Sequence, residues 1–245
     1  MISSLTTAIS VGLGTVAGAG LAAGAFAYAS LSPGSRIFGT ALTAPTRPGE
    51  LALTFDDGPN ATWTPRLLDA LAKHDVRATF FLLGGRADSQ PELVRQMAAA
   101  GHTIGNHSWS HPNLARTPAA RVREELKQTN DALEQILGKP VRFFRPPYGG
   151  RRPAVFRIAR ELNLTPVLWN AMASDWIEPS AGQIAANLTR KIDELARGGH
   201  AANILLHDGG HRDPAANRAP SVMAAEMLLD RYAATHRFVT VDAWC

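Results

Sequence analysis

From about residue 48 onward, short apolar runs alternate with longer stretches whose apolar residues recur every three or four positions. Leu51–Phe55, Ala78–Leu83, His102–Gly105, Val141–Phe144, Pro166–Trp169, Asn203–Leu206 and Phe238–Val241 are too short for stable helices and read as buried strands. The intervening stretches Thr64–Lys73, Pro91–Ala100, Pro118–Leu137, Pro153–Leu162, Ser180–Arg197 and Ser221–Thr235 carry the helical period. Their punctuation agrees. Ser180 and the pair Thr117-Pro118 suit helix starts, and Gly101 and Gly138 stand where helices should end. Alternation of this kind predicts a parallel sheet with crossover helices.

Polar clusters decide how that sheet is arranged. They follow the first, third, fourth, fifth and sixth apolar runs, at the C-terminal ends of the strands. An open sheet would string such ends along a line, whereas a barrel gathers them on one rim. The expected fold is therefore α/β, an irregular, TIM-barrel-like (β/α) barrel of about seven parallel strands, preceded by an apolar N-terminal segment.

That segment is distinct in composition. Residues 1–35 carry no charged side chain, and Ala8 to Leu31 is long and apolar enough to span a bilayer as a helix. Ala27-Tyr28-Ala29 also offers a small-x-small cleavage site, although no Lys or Arg precedes the run. Residues 1–47 are thus expected to be a membrane anchor or signal peptide with its linker, and 48–245 the folded body. The body is expected outside the cytoplasm, anchored or secreted, with membrane association through residues 8–31.

The remaining composition mainly excludes. The net charge of +4 is modest and the basic residues are scattered, which argues against a nucleic-acid partner. Cys245 is the sole cysteine, so neither an intramolecular disulfide nor a Cys-based zinc site can form.

Each polar cluster admits two readings. Asp56-Asp57-Gly58-Pro59 is a solvated turn after a strand, or two acids presented at a site. His107-Ser108-Trp109-Ser110-His111 is an exposed loop, or two imidazoles four apart that share a helical turn and one cation. With one carboxylate, that pair becomes a His-His-Asp set suited to zinc or another divalent first-row metal. His207 ends a strand and either caps it or donates a proton. A metal pairing of His207 with His211 is discounted, because Gly209-Gly210 intervenes. Around Arg145-Pro146-Pro147-Tyr148-Gly149, two prolines stiffen a loop whose Tyr148 to Gly150 amides could point inward, with Arg145 placed to keep a carboxylate ionised. Ser174-Asp175-Trp176 is a polar loop, or an acid that orients a histidine beside an aromatic wall. Jointly, this inventory suits metal-assisted hydrolysis.

Together the clusters resemble the polysaccharide deacetylase family, also called the NodB-homology domain or carbohydrate esterase family 4. Thr-Phe-Asp-Asp-Gly at 54–58, His-Ser-Trp-Ser-His at 107–111, Arg-Pro-Pro-Tyr-Gly at 145–149, Asp-Trp at 175–176 and Leu-Leu-His at 205–207 match its motifs in order. The resemblance spans residues 50 to about 243. It implies that Asp57, His107 and His111 hold one divalent metal ion, usually zinc, with cobalt as an alternative. It further implies Asp56 as base, Arg145 as its orienting partner, the Tyr148 N–H as oxyanion donor and His207 as acid steered by Asp175. Trp176 and Leu205 would wall the acetyl methyl. The implied activity is removal of acetyl groups from N-acetylated glycans such as peptidoglycan or chitin-like oligomers. Alternatives are an O-acetyl esterase on a polysaccharide such as xylan, a deformylase or amidase on a lipid-linked sugar or small molecule, and a glycan-binding module without activity.

Overall fold

The computed structural model describes residues 24–177 and 180–245. Most of the expected leader, residues 1–23, therefore lies outside the described residues. Among these residues eight strands pair: β1 (Glu50–Asp56), β2 (Thr79–Leu82), β3 (Thr103–Asn106), β4 (Phe143–Phe144), β5 (Thr165–Pro166), β6 (Ala171–Met172), β7 (Ala202–His207) and β8 (Arg237–Phe238). The order is β5-β4-β3-β2-β1-β7-β6, and every pairing is parallel.

The two edges of this order are successive pieces of one chain run. Val167 N–H donates to Phe144 O on the β4 side, and Asn170 N–H donates to Asn203 O on the β7 side. The run Thr165–Met172 thus joins both edges, and the sheet curls into the expected irregular barrel. This corrects the single strand expected at Pro166–Trp169. Pro166 has no N–H to give, and the chain must leave one neighbour to reach the other. Leu42 fills the gap between, donating to Pro166 O and accepting from Leu168 N–H.

Side-chain alternation assigns the two faces of each strand. Leu51, Leu53 and Phe55 of β1 join the larger apolar cluster, which includes the helix residues Leu67, Leu71 and Leu228. Ala52 joins a smaller cluster inside the barrel with Phe81, Phe143, Val167, Val241 and Trp244. Thr54 and Asp56 share Ala52's face, so β1 delivers an acid to the top of the barrel interior. Each fully buried Leu or Phe contributes roughly 1.5–3 kcal/mol.

Among the described residues, seven helices connect the strands: α1 (Trp63–Lys73), α2 (Gly84–Ser89), α3 (Pro91–Ala99), α4 (Ala119–Leu137), α5 (Pro153–Glu161), α6 (Ala181–Arg197) and α7 (Ala219–Tyr232). Ser180 caps α6, its Oγ accepting from Gln183 N–H. Gly138 closes α4 at φ +65°, a left-handed value that costs glycine nothing. Helix α2 was not expected, because Gly84-Gly85 reads as a breaker. Close approach explains Gly84: a Cβ there would lie 2.5 Å from Trp109 Cε3. Phe238–Val241, expected as a strand, pairs only through Arg237–Phe238 and then folds into a 3-10 turn over Val241–Trp244. Val241 N–H donates to the Thr79 hydroxyl instead of a strand carbonyl, and the turn plugs the barrel floor.

Residues 24–31 are helical, and Ala29 and Ser30 are buried. Among the described residues, no helix is long and apolar enough to cross a membrane.

Candidate active site

Strand β1 ends on Asp56, which stands in register with His207 of β7. At Asp57 the backbone turns left-handed, φ +70°, and the two adjacent carboxylates part. Ser108, His111, Tyr148 and Ser174 also have positive φ; elsewhere among the described residues only Asp75 and Asn163 do so without being glycine. Such conformations cost about 1–3 kcal/mol each and persist where surrounding contacts over-determine them. Here they collect on one rim.

Asp57 Oδ1 lies 3.5 Å from His107 Nε2 and 3.2 Å from His111 Nε2. All three side chains are buried, with donor atoms within 4.8 Å of one another. His107 Nδ1 stands 2.8 Å from Arg145 O. A carbonyl can only accept, so Nδ1 carries a proton, and Nε2 is the ring nitrogen turned to Asp57. Asp57 Oδ1 itself is buried without a hydrogen-bond partner. Burial should raise the Asp57 pKa, yet the His211 hydrogen bond and the nearby imidazoles hold it well below the usual carboxylate range. Burial, then repulsion from His107, depresses His111 to about 3. A carboxylate oxygen and two imidazole nitrogens converging in this way suit a divalent cation.

The 107–111 segment is a loop, correcting the shared helical turn expected for its histidines. Left-handed values at Ser108 (φ +67°) and His111 (φ +63°) bring the rings together instead. Glu125 of α4, wholly buried, accepts from the Trp109 and Ser110 N–H groups and the Ser110 hydroxyl, and so pins the loop from below. No sequence signal singled out Glu125, which reads as an ordinary helix acid.

Beside this group, Asp56 Oδ1 accepts from Arg145 Nη1 at 2.8 Å, and Oδ2 lies 3.7 Å from His107 Nε2. Arg145 is fully buried; it also donates to the Thr54 hydroxyl and lies 4.2 Å from the Phe81 ring centre. On the neighbouring strand, His207 Nδ1 meets Asp175 Oδ1 at 2.8 Å. Asp175 Oδ2 accepts from the His207 N–H and the Ser221 hydroxyl. Burial opposes a charge on His207, but Asp175, aided by Asp57 and Asp56, outweighs it and lifts the imidazole to about 9. The Trp176 ring stands edge-on to His207 at 5.4 Å, and Leu205 lies buried one inward position below. At the Pro147–Gly149 turn, the Gly149 and Gly150 N–H groups close onto Pro146 and Pro147 carbonyls. Those two amides, expected as possible inward donors, are thereby spent; the Tyr148 N–H is not among these bonds. Arg151 anchors the turn, donating to Gly149 O and to the carbonyls of Ser30 and Ser35.

This fold and this set of residues have known counterparts. The polysaccharide deacetylase family model matches residues 43–167. The chitooligosaccharide deacetylase of Azorhizobium caulinodans is 36% identical over 74% of this chain and 83% of its own length. The chain belongs to the polysaccharide deacetylase family. A peptidoglycan-N-acetylglucosamine deacetylase of Bacillus cereus is 40% identical over 70% of this chain, and the match spans 61% of that relative's length. A crystal structure of a peptidoglycan N-acetylglucosamine deacetylase, in complex with an N-oxidanyl-benzamide, superposes with TM-score 0.72 at 35% identity, covering 83% of this chain and 92% of that one.

Two further residues of this polysaccharide deacetylase family member join the rim: His211, weighed in the sequence only as a discounted partner of His207, and Asp208. His211 does not pair with His207; it stacks on His111 with ring centres 4.2 Å apart. The Gly209-Gly210 break hid it, since spacing says nothing once a loop folds back. Asp208 is wholly buried, accepts from the Thr64 hydroxyl and is pushed by burial to about 7. A cavity of about 1100 Å³, bounded by Trp169, Met172, Ile177, Arg36 and Arg190, opens between the Trp169–Met172 run and α6, and none of the candidate site residues lines it.

Proposed function

We propose that this chain is a metal-dependent hydrolase that removes acetyl groups from N-acetylated glycans, peptidoglycan or chitin-like oligomers, outside the cytoplasm. One observation carries the reading: the unpartnered Asp57 Oδ1 between two imidazole nitrogens, flanked by an arginine-held carboxylate and an aspartate-held histidine. The names of the two relatives favour N-acetyl amides over acetyl esters. The uncharged run at residues 8–31 favours a membrane-anchored or secreted form facing a cell-wall substrate.

A divalent ion held by Asp57, His107 and His111, zinc before cobalt, would polarise the acetyl carbonyl and supply an attacking water that ionises near neutral pH. Asp56 takes the proton of that water on Oδ2, while Arg145 keeps the other oxygen in place. The Tyr148 N–H donates to the oxyanion as it forms. His207 gives its Nε2 proton to the departing nitrogen, with Asp175 fixing the tautomer from the other side. An imidazole lifted to about 9 is charged at neutral pH and ready as an acid. Trp176 and Leu205 exclude water around the methyl group.

The reading is tested by acetate release from chitooligosaccharides, peptidoglycan fragments and acetylated xylan with purified protein. It expects turnover on the first two. Turnover confined to xylan, or none on any substrate, would overturn it.

A further inference from the structure

His211 lies outside the residues that match the family's motifs, yet it makes three polar contacts within the site. Its backbone N–H donates to Asp57 Oδ2 at 3.2 Å, its Nδ1 lies 3.4 Å from the same oxygen, and its Nε2 lies 3.2 Å from the Tyr148 hydroxyl. One tautomer satisfies both ring contacts. The Tyr148 O–H donates to Nε2, and Nδ1–H points at Asp57. The ring face meanwhile rests on His111, at an interplanar angle of 16°.

A carboxylate can rotate, and its two oxygens compete for any cation. The His211 N–H occupies the outer oxygen of Asp57, its Nδ1 stands 3.4 Å from the same atom, and Oδ1, the unpartnered oxygen, is left facing His107 and His111. The same ring reaches the turn that carries the Tyr148 amide. We propose that His211 is a positioning residue that presents Asp57 to the metal and ties it to the Tyr148 turn. This rests on the metal reading given above. Groups that hold metal ligands from behind typically set affinity by about 10–100-fold.

The test is zinc affinity by competition with a chromophoric chelator, measured on full-length wild type, His211→Ala, His211→Asn and His211→Gln, with circular dichroism to confirm folding. An Asn amide nitrogen falls near the place of Nδ1, and a Gln amide nitrogen near that of Nε2. Expected is affinity weakened roughly 10–100-fold in His211→Ala and His211→Gln, but within about 3-fold of wild type in His211→Asn. Wild-type-like affinity in His211→Ala would overturn the inference while leaving the metal reading intact. So would equal weakening in all three variants, which would assign His211 to packing on His111. Failure of wild type to take up zinc would overturn both.

Discussion

The floor and the rim of the barrel both carry acids and arginines and treat them in opposite ways. At the floor, Glu50 accepts from Trp244 Nε1–H at 2.8 Å and pairs with Arg237, and the Thr79 hydroxyl accepts from Val241 N–H. At the rim, Asp57 Oδ1, His111 Nδ1, Arg145 Nε and Asp208 Oδ1 are buried without partners, and the strained left-handed residues gather around them. An unmet buried polar atom costs about 1–3 kcal/mol, so the floor contributes stability that the rim spends. In (β/α) barrels generally, the strand C-terminal face carries chemistry and the opposite face carries stability.

The sharpest break between the two regions comes from His207→Ala. The account expects kcat to fall roughly 10²–10⁴-fold with metal content unchanged, read by acetate release and metal analysis. Asp175→Asn comes next. With Asp175 present, His207 stays protonated until pH rises through about 9, so the alkaline limb of the rate profile lies there. Without that charge the limb moves toward the unperturbed value of about 6.5, and activity at pH 8 drops at least roughly tenfold. The linked stability has the same sign: the His207–Asp175 contribution is full below about 6.5 and disappears as pH rises through about 9. Glu50 runs the other way. Burial opposes its charge, but the Trp244 and Arg237 donors outweigh it and depress its pKa, so its contribution holds above about 4.5 and fades in acid. The smallest expected effect is at the floor itself: Trp244→Phe costs about 1–3 kcal/mol, a shift of several degrees in Tm, with kcat/KM unchanged. A loss of turnover there would erase the division.

Much of this contrast was legible in the chain, and the gaps have physical causes. The central strands β1, β2 and β7 were readable because both their faces are buried, leaving largely apolar runs bounded by polar residues. The convergence of Asp56, Asp57, His107, His111, Arg145, Asp175 and His207 followed from placing those boundaries on a barrel rim. Periodicity could not see a strand that changes partners midway, as Thr165–Met172 does, nor a glycine pair inside a helix, where Trp109 demands the missing Cβ. The helical turn expected at 107–111 misassigned the cause of a correct proximity: left-handed backbone and the buried Glu125 bring the histidines together. His211 and Asp208 were invisible as site residues for a related reason. Asp208 sits at the end of β7 but turns to Thr64, and His211 reaches Asp57 only because the chain folds back after Gly209-Gly210, neither of which local sequence encodes.

The central claim is that the Asp57, His107 and His111 group holds the metal on which turnover depends. Its most direct test is titration of chelator-stripped protein with zinc while following acetate release from a chitooligosaccharide. The account predicts no turnover in the stripped protein and full recovery at one zinc per chain. Full activity in the metal-free protein would contradict it.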